Sequence, residues 1–363
     1  MICLNMIVKD EAKNIKRCLA SVKDIVGYYV IDDTGSTDGT PELIKKLMDK
    51  YGVPGEIYHT PFQNFGYNRE QNLQHAIGKG DYVLMIDADE ELVCKDVSAF
   101  DNLTADCYLV EKTDNGRNFK HSLLLRIGCD WHWHGVVHNA VTSDSGESQE
   151  HFWAAHLIHH GGGSKTRGLT QREAGLKEAA ILEAEMEKDP TNARNQFYLG
   201  QAYRNAGETQ KAYDAYKRRM LMGGWKEEVY ESMARASWCK WHLNDNEFPV
   251  GNFLSTYDFM PTRAEPLFYV AKYYRAHKAY HVAYMFAKVG IEIPYPKEAA
   301  MGIVAPIYEW MMLDEFAASA ALSGHYAEAI EACDRLLAEG KLPKADIKRV
   351  KDNKKQASKL EKK

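Results

Sequence analysis

Residues 82–92 read Tyr-Val-Leu-Met-Ile-Asp-Ala-Asp-Glu-Glu-Leu, an apolar run closed by two carboxylates, Asp87 and Asp89. A short, β-branched run of this kind predicts a strand buried in a parallel sheet. Residues two apart in extended chain point to the same side, so the pair would present its carboxylates together. At the carboxyl end of a strand they would stand where open α/β sheets bind ligands. Mg²⁺ or Mn²⁺ suits that arrangement, because one or two carboxylates commonly hold the ion while substrate phosphates complete its shell. The competing reading is a strand followed by an acidic, solvated turn.

Other residues invite related chemistry. Asp32 and Asp33 close the apolar run that starts at Tyr28, and Gly35-Ser36-Thr37-Asp38-Gly39-Thr40-Pro41 follows. Carboxylates there could accept the N–H of a base or the hydroxyls of a ribose. A capped turn alone would also account for Asp38, Gly39 and Thr40, with Thr40 capping a helix that has Pro41 at its first position. Arg69, in Asn64-Phe65-Gly66-Tyr67-Asn68-Arg69, could clamp a diphosphate or make a surface ion pair. His132, His134, His138, His156, His159 and His160 crowd one stretch of the chain. His132 and His134 would share a strand face and, with a third histidine, could bind zinc; alternatively they pack beside Trp131 and Trp133. Gly161-Gly162-Gly163-Ser164, followed by Lys165 and Arg167, predicts either a loop that closes over a diphosphate or an interdomain hinge.

The elements that must hold these groups fall into two rhythms. Up to about residue 165, strands near 2–8, 28–32, 55–58 and 82–87 alternate with helices near 11–24 and 67–78, and Thr40-Pro41 opens another. This βαβ order predicts a parallel sheet, with later strands near 106–111, 121–127 and 135–142. After about 168 the chain reads as helical and repeats. Leu199, Gly200, Tyr203, Ala212 and Tyr216 take the packing positions of a tetratricopeptide-like helix-turn-helix unit. Leu267, Val270, Ala271, Tyr274, Ala283 and Ala287 recur in the same register, as do Leu313, Phe316, Ala317, Gly324, Ala329 and Cys333. A degenerate unit is expected over 227–262, interrupted at Phe248-Pro249-Val250-Gly251-Asn252. The alternative to a solenoid is an ordinary helical bundle; a solenoid would offer a concave surface to a partner.

With 363 residues there is room for two domains, and 45% hydrophobic with 27% charged residues describes a globular protein. The seven cysteines are odd in number, scattered and free of Cys-x-x-Cys, which fits a reducing compartment. No apolar run approaches membrane-spanning length and Met1 leads straight into an expected strand, so a cytoplasmic protein is expected. The net charge of −5 argues against a dedicated nucleic-acid binder. Residues 341–363 carry ten Lys or Arg against three Asp or Glu, a local +7, which leaves about −12 for the remainder. That basic end reads as a solvated helix or as an anchor to acidic surfaces.

Val30-Ile31-Asp32-Asp33-Thr34-Gly35-Ser36-Thr37-Asp38-Gly39-Thr40, followed by Asp87-Ala88-Asp89-Glu90, resembles the family 2 glycosyltransferases of GT-A fold. Lys9-Asp10-Glu11 and the segment around Arg69 are similar to a branch that fuses this domain to tetratricopeptide repeats. So are Arg194–Gly200, Gly223-Gly224-Trp225-Lys226-Glu227-Glu228 and Pro261-Thr262-Arg263-Ala264-Glu265. The resemblance implies an α/β protein: a Rossmann-like GT-A domain with a mixed, mostly parallel sheet over 1–167, an all-α tetratricopeptide-like solenoid over 168–345, and a basic tail over 346–363.

It also implies a metal-dependent glycosyltransferase moving a sugar from a nucleotide-sugar donor, expected to be a UDP-sugar, with Mn²⁺ or Mg²⁺. Asp33, with Asp32, would contact the base and Glu11 would lie near the nucleoside. Arg69 would contact the diphosphate or brace the fold. Asp87 would face ribose and metal, Asp89 would bind the metal directly, and His159 or His160 would complete the metal shell. The acceptor, a protein, peptide or glycan, would be recognised by the helical repeats, which could also form a homodimer. Relatives of this type carry His-Glu after a Gly-Val element, whereas this chain has Gly135-Val136-Val137-His138-Asn139. Asn139 cannot be a general base, so Asp130, Glu90 or Glu91 is the expected proton acceptor. The rival reading is a tetratricopeptide scaffold carrying an inactive GT-A domain.

Overall fold

A computed structural model describes residues 1–114, 117–143, 145, 148–161, 168–243 and 247–362. The segment 162–167, expected as a loop or hinge, lies outside them. The first elements are β1 (Ile2–Val8), α1 (Ile15–Val22), β2 (Tyr28–Asp33), α2 (Thr40–Tyr51), β3 (Gly55–His59), α3 (Phe65–His75) and β4 (Tyr82–Met85). Then come β5 (Glu90–Cys94), β6 (Cys107–Asp114), β7 (Arg117–Arg126), β8 (Trp131–His134), β9 (Ala140–Ser143) and β10 (Gln149–His159).

Eight strands form one sheet in the order β3-β2-β1-β4-β7-β6-β10-β5, and β8 and β9 form a separate hairpin. β3, β2, β1 and β4 run parallel, as the βαβ rhythm predicts. Beyond them the sheet is mixed: β7 is antiparallel to both β4 and β6, β10 is parallel to β6, and β5 runs against β10. The carboxyl ends of β1, β2, β3, β4, β6 and β10 therefore share one edge with the start of β5. Two buried clusters hold the sheet, one including Leu4, Ile15, Leu19, Ile31 and Ile44, the other including Val30, Leu73, Val83 and Trp131.

The expected strand over 135–142 is instead a hairpin turn followed by β9, and the expected strand over 82–87 stops at Met85. Thr40 opens α2 but does not cap it: the N-cap is Gly39, in a left-handed conformation, and the Thr40 hydroxyl bonds to Asp38. On β3, Glu56 accepts from Lys79 Nζ at 2.7 Å, from the Tyr28 hydroxyl at 2.9 Å and from Tyr58. These donors, Lys79 first, pull its carboxyl down to about 2. A depressed folded pKa stabilises above the unfolded value of about 4.5 and is lost as pH falls through about 2. Glu56→Gln should therefore lower the thermal midpoint at pH 7, with the gap to wild type closing as acid is added below pH 4.5; a pH-independent gap would contradict this account.

The helices that follow are α4 (Gln171–Lys188), α5 (Ala193–Asn205), α6 (Thr209–Leu221), α7 (Lys226–Leu243), α8 (Val250–Phe259), α9 (Glu265–Ala276), α10 (Tyr280–Ile291), α11 (Met312–Leu322), α12 (Tyr326–Ala338) and α13 (Lys344–Glu361). Chain contacts divide the protein into two compact units, Met1–Gly207 and Glu208–Lys363. The change to helix near 168 thus precedes the division, and α4 and α5 belong to the sheet's unit. Within the second unit Ala271, Ala287, Phe316, Ala317 and Cys333 are buried in one cluster, as the repeat spacing requires. Val350 of α13 joins them, so the basic end is a packed helix.

Candidate active site

The loops after β1 and β2 interlock through side chains. Asp10 Oδ1 accepts from Thr37 N at 2.7 Å, and Asp38 Oδ2 accepts from Ala12 N at 3.0 Å. Glu11 is buried, its Oε2 accepts from Asn14 Nδ2 at 2.8 Å, and its N–H donates to Thr40 Oγ1. Asp33 caps its own turn, accepting from Ser36 N at 3.2 Å, with His59 Nδ1 at 3.4 Å. Asp32 is fully buried; Oδ1 accepts from Thr60 N at 2.9 Å, and Oδ2 has no hydrogen-bond partner. Burial pushes its carboxyl upward. Asp38 is a loop brace, consistent with the capped-turn reading, whereas Asp32 keeps a buried oxygen to spare.

Asp87 and Asp89 lie in a turn rather than on extended chain. The turn closes because Glu90 N donates to Asp87 O at 3.0 Å while Asp87 N donates to Glu90 Oε2 at 2.8 Å. The two aspartates therefore take different partners. Arg69 Nη2 donates to Asp87 Oδ1 at 2.7 Å and Oδ2 at 2.9 Å, and its guanidinium lies 4.9 Å from the Trp133 ring centroid. Burial raises the Asp87 carboxyl, but Arg69, Lys112 and His121 together outweigh it and hold the group below the usual carboxylate range. Glu90 is buried and pairs with Lys112; burial, and then the Asp87 charge, push its carboxyl upward.

Asp89 faces a different group. Its Oδ2 lies 3.2 Å from His159 Nε2, and His159 Nδ1 lies 3.0 Å from Asp114 Oδ1. Asp114 first, and then Asp89, push the imidazole up to about 10. His160 does not join them: its side chain meets Glu91 Oε2 at 2.8 Å, and only its backbone N–H bonds to Asp89 O. Among the described residues no group of three or more His, Cys, Asp or Glu side chains is arranged to hold a metal. Two donors are enough where phosphates supply the rest, and adjacent ligands of an octahedral ion stand about 3 Å apart for bonds of about 2.1 Å. The spacing of Asp89 and His159 fits that. A carboxylate on the far imidazole nitrogen is the usual support for a metal-binding histidine.

The remaining candidates have partners of their own. Asp130 is exposed and pairs with His132 at 3.0 Å, and His132 also meets Glu70 at 3.5 Å. Asn139 donates its amide to Gly135 O, and His138 stacks on Tyr198 at 3.8 Å and pairs with Glu178. The segment that departs from the His-Glu pattern thus docks on α4 and α5. A Cβ added to Gly66 would land on the Gly135 carbonyl. Gly66→Ala should cost about 1–3 kcal/mol in denaturant titration, because backbone has to move; an unchanged midpoint would mean this loop is loosely seated.

Lys112 and Asp114 were not among the sequence candidates. Their signal was the period-two alternation Lys112-Thr113-Asp114, which places both on one face of β6 at the site edge.

Residues 3–99 match the Glycosyl transferase family 2 profile. The N-terminal domain is a family 2 glycosyltransferase domain. The chain is 40% identical over 92 residues to a TPR repeat-containing protein of Synechococcus elongatus, covering 25% of this chain and 21% of that protein. It is 25% identical over 234 residues to the SPbeta prophage-derived glycosyltransferase SunS of Bacillus subtilis, covering 60% of this chain and 52% of that one. The chain thus spans from about a fifth to about half of the curated relatives it matches. The structure of S. aureus TarS 1-349 in complex with UDP-GlcNAc has a TM-score of 0.36 at 13% identity, covering 68% of this chain and 88% of that chain. Among the described residues no helix of this glycosyltransferase-domain protein is long and apolar enough to cross a membrane.

Proposed function

We propose that the protein is a metal-dependent glycosyltransferase that moves a sugar from a UDP-sugar to a protein or glycan acceptor. The observation that carries this reading is the row Asp89–His159–Asp114, set beside Asp87–Arg69 at the carboxyl edge of a family 2 domain. Asp89 and His159 would hold Mn²⁺ or Mg²⁺ together with the donor diphosphate, and the ion would neutralise charge on the departing nucleotide. Asp114 would keep a proton on His159 Nδ1, and the ion would displace the Nε2 proton that Asp89 otherwise holds, freeing that nitrogen's lone pair. Asp32 would accept the N–H of the base with its spare oxygen, while Asp33 and Glu11 set the loops around the nucleoside. Arg69 holds Asp87 in place for the ribose.

Of the three carboxylates considered for the acceptor's proton, Glu90 is committed to Lys112 and the Asp87 N–H. Glu91 and Asp130 are more exposed and are the bases we favour. The helical repeats would bind the acceptor or a second copy of the chain.

Calorimetric titration with UDP tests this reading. Binding should tighten when Mn²⁺ is present, and a panel of nucleotide sugars should show hydrolysis of at least one donor with Mn²⁺. UDP binding indifferent to metal, with no donor hydrolysed, would overturn the reading in favour of a scaffold with an inactive domain.

A further inference from the structure

The last helix, α13, carries a row of lysines that neither the fold nor the proposed reaction uses. Lys344, Lys348, Lys351, Lys355 and Lys359, with Lys362 at the C-cap, are all exposed. Their spacing puts them within roughly 80° of the helix circumference, along a line about 27 Å long. None of the six takes part in an ion pair or a side-chain hydrogen bond among the described residues, although other basic groups of this helix do. Arg349 pairs with Asp314 and Asp346, and Lys354 with Asp334.

The opposite side of the helix is spent on packing. Val350 is buried with Leu336 and Leu342, Ala357 with Ala320 and Ala329, and Ile347 is packed against the same core. The lysine row is therefore held in line by a helix that cannot roll. Six like charges at this spacing repel one another, which disfavours the helix unless an anionic surface balances them.

We propose that this row docks the protein on an anionic lipid surface. Juxtaposed lysines gain attraction from acidic headgroups without inserting, and α13 has no free apolar face with which to insert. A straight, one-sided row suits a flat surface. The rest of the chain carries about −12, so the same surface repels it and the contact is confined to the row. Single-stranded nucleic acid is the poorer match: α13 has no aromatic residue for base stacking, and its one arginine is already paired.

The test is co-sedimentation of the full chain with phosphatidylcholine vesicles with and without about 30% phosphatidylglycerol, in about 0.1 M salt. Binding should require phosphatidylglycerol and fall away in about 1 M salt. A variant with Lys→Gln at all six positions should bind at least about tenfold more weakly, while a six-fold Lys→Arg variant binds like wild type. Circular dichroism melts of both variants establish that α13 still folds. No binding of the wild-type chain to anionic vesicles overturns the proposal. Undiminished binding by a folded Gln variant does so too, as does tighter binding to an oligonucleotide at the same ionic strength.

Discussion

Asp89→Ala should abolish Mn²⁺-dependent donor hydrolysis while leaving the thermal melt close to that of the wild type. The carboxylate is one of two protein donors facing each other at the site edge, the other being His159 Nε2 at 3.2 Å. In the proposed reading these two side chains are the ion's protein ligands, so loss of either would leave it held by phosphate and water, and such an ion contributes several kcal/mol to the reaction. At about 1.4 kcal/mol per tenfold, a fall of roughly a hundredfold or more is expected. Stability has less to lose. The Asp89 side chain gives up one charge-assisted contact, worth about 1.5–3 kcal/mol at most, to a histidine that keeps Asp114, and the backbone bond from His160 N to Asp89 O survives the substitution. Hydrolysis rates set against denaturant midpoints separate the two effects. Retained hydrolysis would remove Asp89 from the chemistry, and a loss of more than about 3 kcal/mol in stability would make the turn a structural device.

Arg263→Met should unfold the second unit far more readily than any surface change. Arg263 is 1% exposed, and its Nε and Nη2 donate to Glu265 at 3.1 and 2.9 Å. Nη1 donates to Met301 O at 3.0 Å, Nη2 also to Gly302 O at 3.2 Å, and the guanidinium lies 4.6 Å from the Tyr230 ring centroid. Glu231 stands 3.7 Å away, itself paired with Arg235. Removing the arginine strands Glu265 without its cation and leaves two carbonyls unsatisfied, and breaking a buried pair costs about 3–5 kcal/mol. Adding Glu265→Leu should recover part of that cost, because the uncompensated charge goes with it. A single substitution costing less than about 1 kcal/mol would show that water reaches this cluster.

These two residues were legible in the sequence to different degrees. Asp89 stood out because an apolar run ends in spaced carboxylates. Arg263 and Glu265 appeared only as part of a resemblance, since nothing in Pro261-Thr262-Arg263-Ala264-Glu265 says that its charges are buried. The division between structural and chemical acids was also hidden: Glu90 and Glu91 are neighbours, yet one is sealed against Lys112 and the other meets His160 at the surface.

The sequence by itself determined the parallel half of the sheet, the helical repeats and the place of the Asp87–Asp89 pair at a strand end. Period-two and helical periodicity are local, and burial of one face enforces them. The pairing partners of those carboxylates came only from tertiary structure. β5 begins with two glutamates and reads as an acidic turn, and β10 loses its alternation at a bulge between His151 and His156. Once folded, β10 runs against β5 with His159 opposite Glu90, and beside β6 with Ile158 opposite Thr113. That register carries His159 between Asp89 and Asp114, residues 70 and 45 positions away. Strand register is set by non-local hydrogen bonding and by which face is buried, and neither is written in any one segment.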